Sequence, residues 1–307
     1  MKRYVLGRLL ATIPVIIGVA VVVFLFLRLV PGDPVDLMLG ENAVAADRVE
    51  LRHNLGLDQP LWKQFGGYFG GLVHGDLGES YYYREPVLTT LLARYPATLE
   101  LTLAALLVGL AVAFPVGVIA ALRRGGVADR AAMLLAFAGV AVPVFWLGPL
   151  LIATFAIDLD WFPVSGREGI ESLVLPAVTL GVGLAALTSR MIRAGLVDTL
   201  REDYVRTARA KGLAERRVVL KHALRNALLP VVTILGLQFG ALLSGAVITE
   251  TVFSWPGVGR LLITAIQTRD YPLVQGGVLL ISLTYVAVNL TTDVLYAFLD
   301  PRIRLER

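Results

Sequence analysis

Six long runs of residues with almost no charge constrain this chain more than any other feature. They are Leu9–Leu27, Leu101–Leu122, Ala131–Ile157, Leu173–Ser189, Ala227–Thr249 and Tyr271–Thr292. An α-helix needs about 20 apolar residues to cross the hydrocarbon core of a bilayer. Of the 307 residues, 56% are hydrophobic and only 17% are charged, which is too little charge to cover a soluble protein of this size. The sequence therefore predicts an all-α membrane protein with six transmembrane helices.

Two of these runs have more than one interpretation. The first, Leu9–Leu27, follows a basic N-terminus as a signal peptide would, but its apolar core is long and no small-x-small cleavage site follows it. We therefore expect it to be retained as the first span. The third, Ala131–Ile157, contains Pro143 and Pro149, so we expect this span to be kinked or broken.

The positions of the basic residues predict the orientation of the spans. If both termini are cytoplasmic, 19 of the 28 Lys and Arg residues lie on the cytoplasmic side, in agreement with the positive-inside rule. Ten of them lie between the fourth and fifth spans, in the loop 190–226. The net charge of +4 then reflects membrane topology and does not indicate a nucleic-acid partner.

The order of the runs divides the chain into four predicted parts. Residues 1–30 form the N-terminal segment and first span, and residues 31–96 form an external cap segment between spans 1 and 2. Residues 97–292 form a five-helix core that includes the loop 190–226, and residues 293–307 form a cytoplasmic tail. The chain has no cysteine, so the cap must be held by packing alone.

Two helices are predicted inside the cap segment. One is Ala43–Asn54, and the other follows Pro60, where six apolar or aromatic residues recur at helical spacing. They are Leu61, Trp62, Phe65, Tyr68, Phe69 and Leu72. We expect these aromatic side chains either to pack the cap onto the spans or to lie at the level of the lipid headgroups.

The sequence gives little support to catalysis or to a cofactor in this chain. The histidines His53, His74 and His222 are scattered and do not have metal-ligand spacing. No G-x-x-x-x-G-K-[ST] motif is present, and the glycine pairs at 66–67 and 70–71 lack the strand-to-helix context of a phosphate-binding loop. We therefore expect no metal, no nucleotide site and no enzymatic site.

The predicted spans contain no acid or histidine in their interiors. Four acidic residues lie at span ends, where we expect solvent or headgroups to reach them: Glu100, Glu250, Asp270 and Asp293. An ion-coupled carrier usually buries an ionisable group near the midplane. The candidates for a translocation path or its outer mouth are Gln238, Ser244, Glu250, Trp255 and Asn289. Hydrogen bonding between helices is the favoured explanation of the interior amides and hydroxyls, and Trp255 also suits an interfacial anchor.

The external segment after the fifth span is predicted to contain a short amphipathic helix. Trp255-Pro256-Gly257 forms a turn, and Val258, Leu261, Leu262 and Ala265 then follow at helical spacing.

The loop 190–226 has a helix–glycine–helix pattern. Residues 201–211 contain neither Gly nor Pro, Gly212 interrupts the run, and residues 214–228 resume it. Gly212 is suited to a positive φ that reverses the chain. Ala208 and Ala210, together with Gly212, present small residues, so we expect the surface of a partner to approach closely there. An ordinary basic loop remains the simpler alternative.

The sequence of this loop resembles the coupling motif of the dipeptide/oligopeptide/nickel permease family of ABC importers. The match covers Asp203, Tyr204, Val205, Arg206, Thr207, Ala208, Arg209, Ala210, Lys211, Gly212 and Leu213. It continues through Arg217, His222-Ala223-Leu224 and Leu228-Leu229-Pro230. Arg206-Thr207-Ala208 replaces the Glu-Ala-Ala of the general importer motif, and Leu229-Pro230 lies farther from Gly212 than in that motif. Both departures favour the peptide branch over the sugar and amino-acid branches.

Further short matches to this family occur in order along nearly the whole chain. They are Pro31-Gly32-Asp33-Pro34, Gly56-Leu57-Asp58-Gln59-Pro60, Gly75-Asp76-Leu77-Gly78, Pro163-Val164-Ser165-Gly166, Glu250-Thr251-Val252-Phe253, Arg269-Asp270-Tyr271-Pro272-Leu273-Val274-Gln275-Gly276 and Asp300-Pro301-Arg302. Each match is weak alone, but their joint order is specific.

The resemblance implies a type I ABC importer permease fold and half of a translocation path for dipeptides or oligopeptides. It implies a second homologous permease subunit, two cytoplasmic ATPase subunits that bind ATP and Mg, and an external solute-binding protein. It also implies that residues 203–213 dock into an ATPase, and that the chain lies in a bacterial or archaeal inner membrane. Nickel chelates, glutathione and oligosaccharides remain alternative cargoes. A stand-alone channel or ion-coupled carrier, and an assembly scaffold without a pore, are the rival classes.

Overall fold

The computed structural model describes residues 2–30, 32–40 and 44–299. The chain divides into two compact units, each built from separate stretches of sequence. The first unit consists of residues 1–98 and 256–286, and the second consists of residues 99–255 and 287–307. Residues 300–307, which include most of the predicted tail and the Asp300-Pro301-Arg302 match, lie outside the described residues, as do Pro31 and Ala43.

The described residues form helices joined by turns, and no strand occurs among them. Those that precede the broken third span are α1 (Lys2–Leu29), α2 (Pro34–Leu39), α3 (Ala45–Asn54), α4 (Leu61–Val73) and α5 (Val87–Leu122). The remainder are α6 (Val127–Ala141), α7 (Val144–Leu151), α8 (Glu171–Thr199), α9 (Asp203–Ala210), α10 (Glu215–Arg217), α11 (Leu224–Ala227), α12 (Leu229–Val252), α13 (Val258–Gln267) and α14 (Tyr271–Leu299). Two π-helical stretches, Ile152–Asp158 and Val218–Ala223, continue α7 and α10.

The six predicted spans are confirmed among the described residues. Five helices, α1, α5, α8, α12 and α14, are long and apolar enough to cross a membrane, and the sixth span is the bent pair formed by α6 and α7 with its π-helical extension. The helices extend beyond the predicted runs because flanking polar residues continue the same backbone. α5, for example, begins at Val87, well before Leu101.

The predicted break in the third span is present at Pro143. α6 and α7 meet there at an angle of 102°. Val142 has φ −80° and ψ 119°, which is the extended conformation that a following proline imposes by steric contact. Pro143 also supplies no backbone N–H, so the helix ends at Ala141 and a new one begins at Val144.

In the first unit, aromatic side chains pack α4 onto α1, as predicted. The Phe24 side chain of α1 is almost completely buried, and its ring lies 5.1 Å from that of Phe65 and 5.8 Å from that of Tyr68. The Arg28 guanidinium lies 3.4 Å from the Phe24 ring centroid. It also donates from Nη2 to Oε1 of Gln64 at 2.9 Å.

The short amphipathic helix after Trp255 is confirmed as α13. Its buried residues Val258, Leu261, Leu262 and Ala265 form one core with residues of α5 and α14. Thr98 accepts a hydrogen bond at Oγ1 from the backbone N–H of Val258 at 2.8 Å, so it satisfies one of the free amides at the start of α13.

Asp270 joins distant parts of the first unit. It is fully buried and accepts hydrogen bonds from the Ser80 hydroxyl and from the backbone N–H of Tyr82 at 3.1 Å. It also caps α14 by accepting from the N–H of Leu273 at 3.2 Å. The expectation that solvent or headgroups reach Asp270 is therefore wrong, since the folding of the cap around it removes it from solvent.

We predict that Asp270→Ala destabilises the first unit. The variant leaves the buried amide of Leu273 and the part-buried amide of Tyr82 without their acceptor, and an unsatisfied buried group costs about 1–3 kcal/mol. Thermal unfolding of the purified chain in detergent measures the loss. The control Glu50→Ala changes an exposed side chain of α3 and should shift stability by less than about 0.5 kcal/mol. Equal stability of the two variants would contradict this role of Asp270.

Candidate functional site

The predicted helix–glycine–helix arrangement of the loop 190–226 is confirmed. α9 ends in a Schellman motif, in which the N–H of Leu213 bonds to the carbonyl of Ala208 at 3.4 Å and the N–H of Gly212 to that of Arg209 at 2.9 Å. Gly212 has φ +75°, a left-handed conformation that glycine adopts without strain. The chain then reverses into α10, so that α9 packs back onto the segment that follows it.

One face of α9 is part of the core of its own chain. Val205 is fully buried and Ala208 is 7% exposed, and they pack with residues of α5, α8 and the segment after Gly212. These residues are Ala121, Leu196, Val218, Val219, Ala223 and Ala227. The expectation that Ala208 meets a partner is therefore wrong, because its small side chain permits close packing within the loop itself.

The opposite face of α9 is exposed. It carries Asp203, Arg206, Thr207, Ala210 and Lys211. The Arg206 side chain is 70% exposed and lies 3.0 Å from the carboxylate of Asp203. This face combines one small residue with charged and hydroxyl groups, and it is held on a rigid base by the buried face.

Polar contacts join the two halves of the loop across Gly212. Arg209 donates to Glu215 from Nε at 3.1 Å and from Nη2 at 2.7 Å, and Asn226 donates to the Tyr204 hydroxyl at 2.7 Å. The hydrogen bond from Arg209, aided by its charge, lowers the pKa of Glu215 below its ordinary value. The ion pair is therefore present above that ordinary pKa and is lost as the pH falls through the lowered one.

A buried ion pair between α6 and α8, at the start of the loop 190–226, was not predicted from the sequence. Both carboxylate oxygens of Asp129, at the start of α6, accept from Arg193 of α8, at 2.5 Å from Nε and 2.7 Å from Nη2. The N–H of Gly125 donates to the same carboxylate at 2.8 Å. The Asp129 side chain is 5% exposed. The signal available in the sequence was an acidic residue, Asp129, next to an apolar run. Its partner Arg193 is 64 residues away in sequence, and only the folded structure shows that the two meet.

The candidate path residues have different environments. Ser244 lies on the exposed stripe of α12, which consists of Pro230, Leu237, Ala241, Ser244, Ile248 and Thr251. Gln238 of α12 and Asn289 of α14 are half-buried. Only Ser244 of these three lies on the exposed stripe.

Glu250 and Trp255 belong to the second unit, and both are fully buried. The N–H of Trp255 donates to the carbonyl of Glu250 at 2.8 Å, and the Arg167 guanidinium lies 5.8 Å from the Trp255 ring centroid. The expected access of solvent to Glu250 and the interfacial-anchor interpretation of Trp255 are therefore wrong.

The described residues contain no group of three or more His, Asp or Glu side chains arranged to hold a metal ion. The exposed face of α9 offers charged side chains and the small side chain of Ala210 for contact with another protein.

Solved structures of ABC transporters share this fold. The chain matches a structure of the MetNI methionine ABC transporter in an inward-facing conformation with a TM-score of 0.60 and 20% identity, covering 70% of this chain and 99% of that one. It matches an amino acid ABC transporter with a TM-score of 0.51 and 17% identity, covering 70% and 94%. The fold is that of a type I ABC importer permease.

Sequence comparison gives the family. Residues 113–305 match the binding-protein-dependent transport system inner membrane component, and residues 1–102 match the N-terminal part of such a membrane component. The chain belongs to this family of multi-pass inner-membrane proteins, whose transport depends on a binding protein.

Full-length relatives include transport permeases for small peptides. The chain is 46% identical to the di/tripeptide permease DppB of Pseudomonas aeruginosa (strain UCBPP-PA14), over 100% of both chains. It is 44% identical to the dipeptide permease DppB of Escherichia coli (strain K12), over 99% of both. It is 47% identical to the glutathione permease GsiC of the same organism, again over 99% of both.

We predict that Gly212→Ala destabilises the C-terminal end of α9 more than Gly212→Asn does. A Cβ at this position meets no atom within 4 Å, so the cost comes from the left-handed backbone, about 1–2 kcal/mol for Ala and less for Asn. Hydrogen exchange of the Leu213 amide should accelerate about 5- to 30-fold in the Ala variant. Equal acceleration in both variants would show that the positive φ is not the constraint.

Proposed function

We propose that this chain is the permease subunit of an ATP-driven importer and forms half of the translocation path for dipeptides or oligopeptides. The observation that carries the proposal is the exposed face of α9, held rigidly by its buried face at Val205 and Ala208. Full-length identity to two dipeptide permeases supports the cargo.

The complete importer in this proposal contains a second homologous permease, two cytoplasmic ATPases and an external solute-binding protein. ATP and Mg bind to the ATPases, and this chain contributes no catalytic group. Both termini and the loop 190–226 are cytoplasmic, and the cap segment 31–96 is external. The excess of basic residues in the loop supports this orientation.

Coupling in this proposal starts with residues 203–213. The ATPase contacts the exposed residues Arg206, Ala210 and Lys211, and closure of the ATPase dimer displaces α9. Because α9 packs against Val218 and Val219, which lead through α11 into α12, the displacement passes to the spans. The Asp129–Arg193 pair holds α6 to α8 and keeps the base of the loop rigid.

The path in this proposal runs along the exposed stripe of α12. Ser244 lies on it, and Gln238 and Asn289 supply amides at its margins. Glu250 and Trp255 hold the turn that follows α12 and shape the outer mouth without facing cargo. The stripe carries no charged side chain, which suits peptides of varied side chains.

Glutathione is a second candidate cargo because GsiC is 47% identical to the chain over 99% of both. It is itself a tripeptide with free carboxylates, so the same path would accept it. Uptake of labelled dialanine and of labelled glutathione, measured separately, distinguishes the two cargoes.

We predict that dipeptide uptake by the assembled complex in liposomes requires ATP and loaded binding protein. Uptake should cease when ATP is replaced by a non-hydrolysable analogue, because the chain has no energy source of its own. Dissipating proton and sodium gradients should leave the initial rate unchanged. Flux through the chain without its ATPases, or a dependence on either gradient, would refute the importer and favour a channel or carrier.

We predict that Ala210→Trp uncouples transport while Ala208→Trp destabilises the loop. The first adds bulk to the exposed face of α9, so ATPase binding and peptide uptake should fall at least about tenfold, which corresponds to 1.4 kcal/mol. The second overpacks a buried site at a cost of about 1–3 kcal/mol, which thermal unfolding detects.

The control for bulk alone is Val127→Trp. Val127 is 83% exposed at the start of α6, in a loop that the proposed orientation places on the same side of the membrane. This variant should assemble and transport normally. Normal uptake by Ala210→Trp would place the docking surface elsewhere.

A further inference from the structure

A cavity of about 330 Å³ lies inside the first unit, bounded by α4, the loops beside it and the start of α14. Its volume falls at the lower end of the range for small-molecule sites. The residues that line it and carry the argument are Arg28, Lys63, Gly67, Tyr68, Asp76 and Gln275. Neither α9 nor the exposed stripe of α12 contributes to it.

Glycines of α4 leave this space open. Gly67 lines the cavity, and a Cβ built there would meet no atom within 4 Å. Gly66, its neighbour on the same helix, also has open space around a Cβ but does not line the cavity. Glycine weakens a helix by about 1 kcal/mol relative to alanine, so helix stability does not explain a glycine at position 67.

Two buried polar groups at the cavity have no protein partner. The Gln275 side chain is 5% exposed, and its amide nitrogen makes no hydrogen bond. The Tyr68 hydroxyl is buried and is likewise without a partner. Native proteins rarely leave such groups unsatisfied, since each costs about 1–3 kcal/mol. Both atoms are enclosed in this conformation, so a ligand that accepts hydrogen bonds would satisfy them once their side chains turn toward the cavity.

The charge of the cavity comes from Arg28 and Lys63 opposed by Asp76. Arg28 donates from Nε and Nη2 to Gln64 and from Nη1 to the Phe24 carbonyl. Because a guanidinium carries five N–H groups, two remain for another acceptor. Asp76 accepts from the N–H of Gly78 at 2.8 Å, and its carboxylate disfavours a dianion such as phosphate.

We propose that this cavity binds a small organic carboxylate, no larger than a dipeptide. The carboxylate accepts from Arg28 and, once their side chains turn toward it, from the Gln275 amide and the Tyr68 hydroxyl. Asp76 is placed to pair with an ammonium group, so a zwitterion such as a free amino acid or short peptide fits best. The site is separate from the proposed transport path, and binding there does not require ATP.

The test measures binding of labelled dialanine to the full-length chain in lipid nanodiscs by equilibrium dialysis. We expect saturable binding, with dialanine amide at least about tenfold weaker because it lacks the carboxylate charge. No saturable binding, or equal binding of the amide, would overturn the proposal. Because neither ATPase nor binding protein is present, this result is independent of whether the chain imports peptides.

Three variants test whether the ligand binds in the cavity. Gly67→Leu fills the space and should abolish binding, while the matched Gly66→Leu should bind as the native chain does. Gln275→Leu should weaken binding about 3- to 10-fold, the loss of one hydrogen bond. Its thermal midpoint should not fall, since the substitution removes an unsatisfied buried amide.

Unchanged binding in Gly67→Leu would overturn the proposal. So would a different outcome, in which dialanine fails to bind but Gly67→Leu weakens association with the solute-binding protein. In that case the cavity receives an acidic side chain of that protein rather than a small molecule.

Discussion

The need to satisfy every backbone hydrogen bond in hydrocarbon is the constraint on which the rest of this structure depends. A spanning segment surrounded by lipid has no water to bond to, so it must be helical. The break at Pro143 removes one donor and bends the chain by 102°, so the backbone groups freed there need partners outside the helix. In the second unit, Gly148 next to this break has the side chains of Val252 and Phe253 within about 3.3 Å of its missing Cβ.

Local signals predicted the helices, and long-range contacts decided which side chains are buried. The apolar runs gave the spans, Pro143 the break, and Gly212 the end of α9, because each acts on its own neighbours. Ser80 and Asp270 are 190 residues apart, and no local pattern indicates that they meet. Asp270 was therefore misjudged as accessible. Ala208 shows the same limit, since a small residue suits both a partner and its own chain.

Rigidity distinguishes the loop 190–226 from an ordinary basic loop. Gly195 of α8 approaches the chain so closely that a Cβ there would lie 2.8 Å from the Ala227 carbonyl oxygen. Val205, Ala208 and Val218 fill the space beside this contact. Packed interiors shift between discrete arrangements and do not deform continuously, so in the proposed coupling a displacement of α9 would be passed on to α8 and α12. A loop held only by exposed ion pairs, each worth about 0–1 kcal/mol, would deform instead of transmitting the displacement.

The distribution of polar groups indicates which surfaces of the chain can discriminate between ligands and which cannot. The exposed stripe of α12 offers two hydroxyls, from Ser244 and Thr251, and no charge. Such a surface discriminates weakly, because strong discrimination requires buried polar groups that the wrong ligand leaves unpaired. The first unit holds groups of that kind at Gln275 and Tyr68. The proposed chemical recognition by this chain is therefore concentrated around α4 and the start of α14, and the proposed path along α12 is permissive.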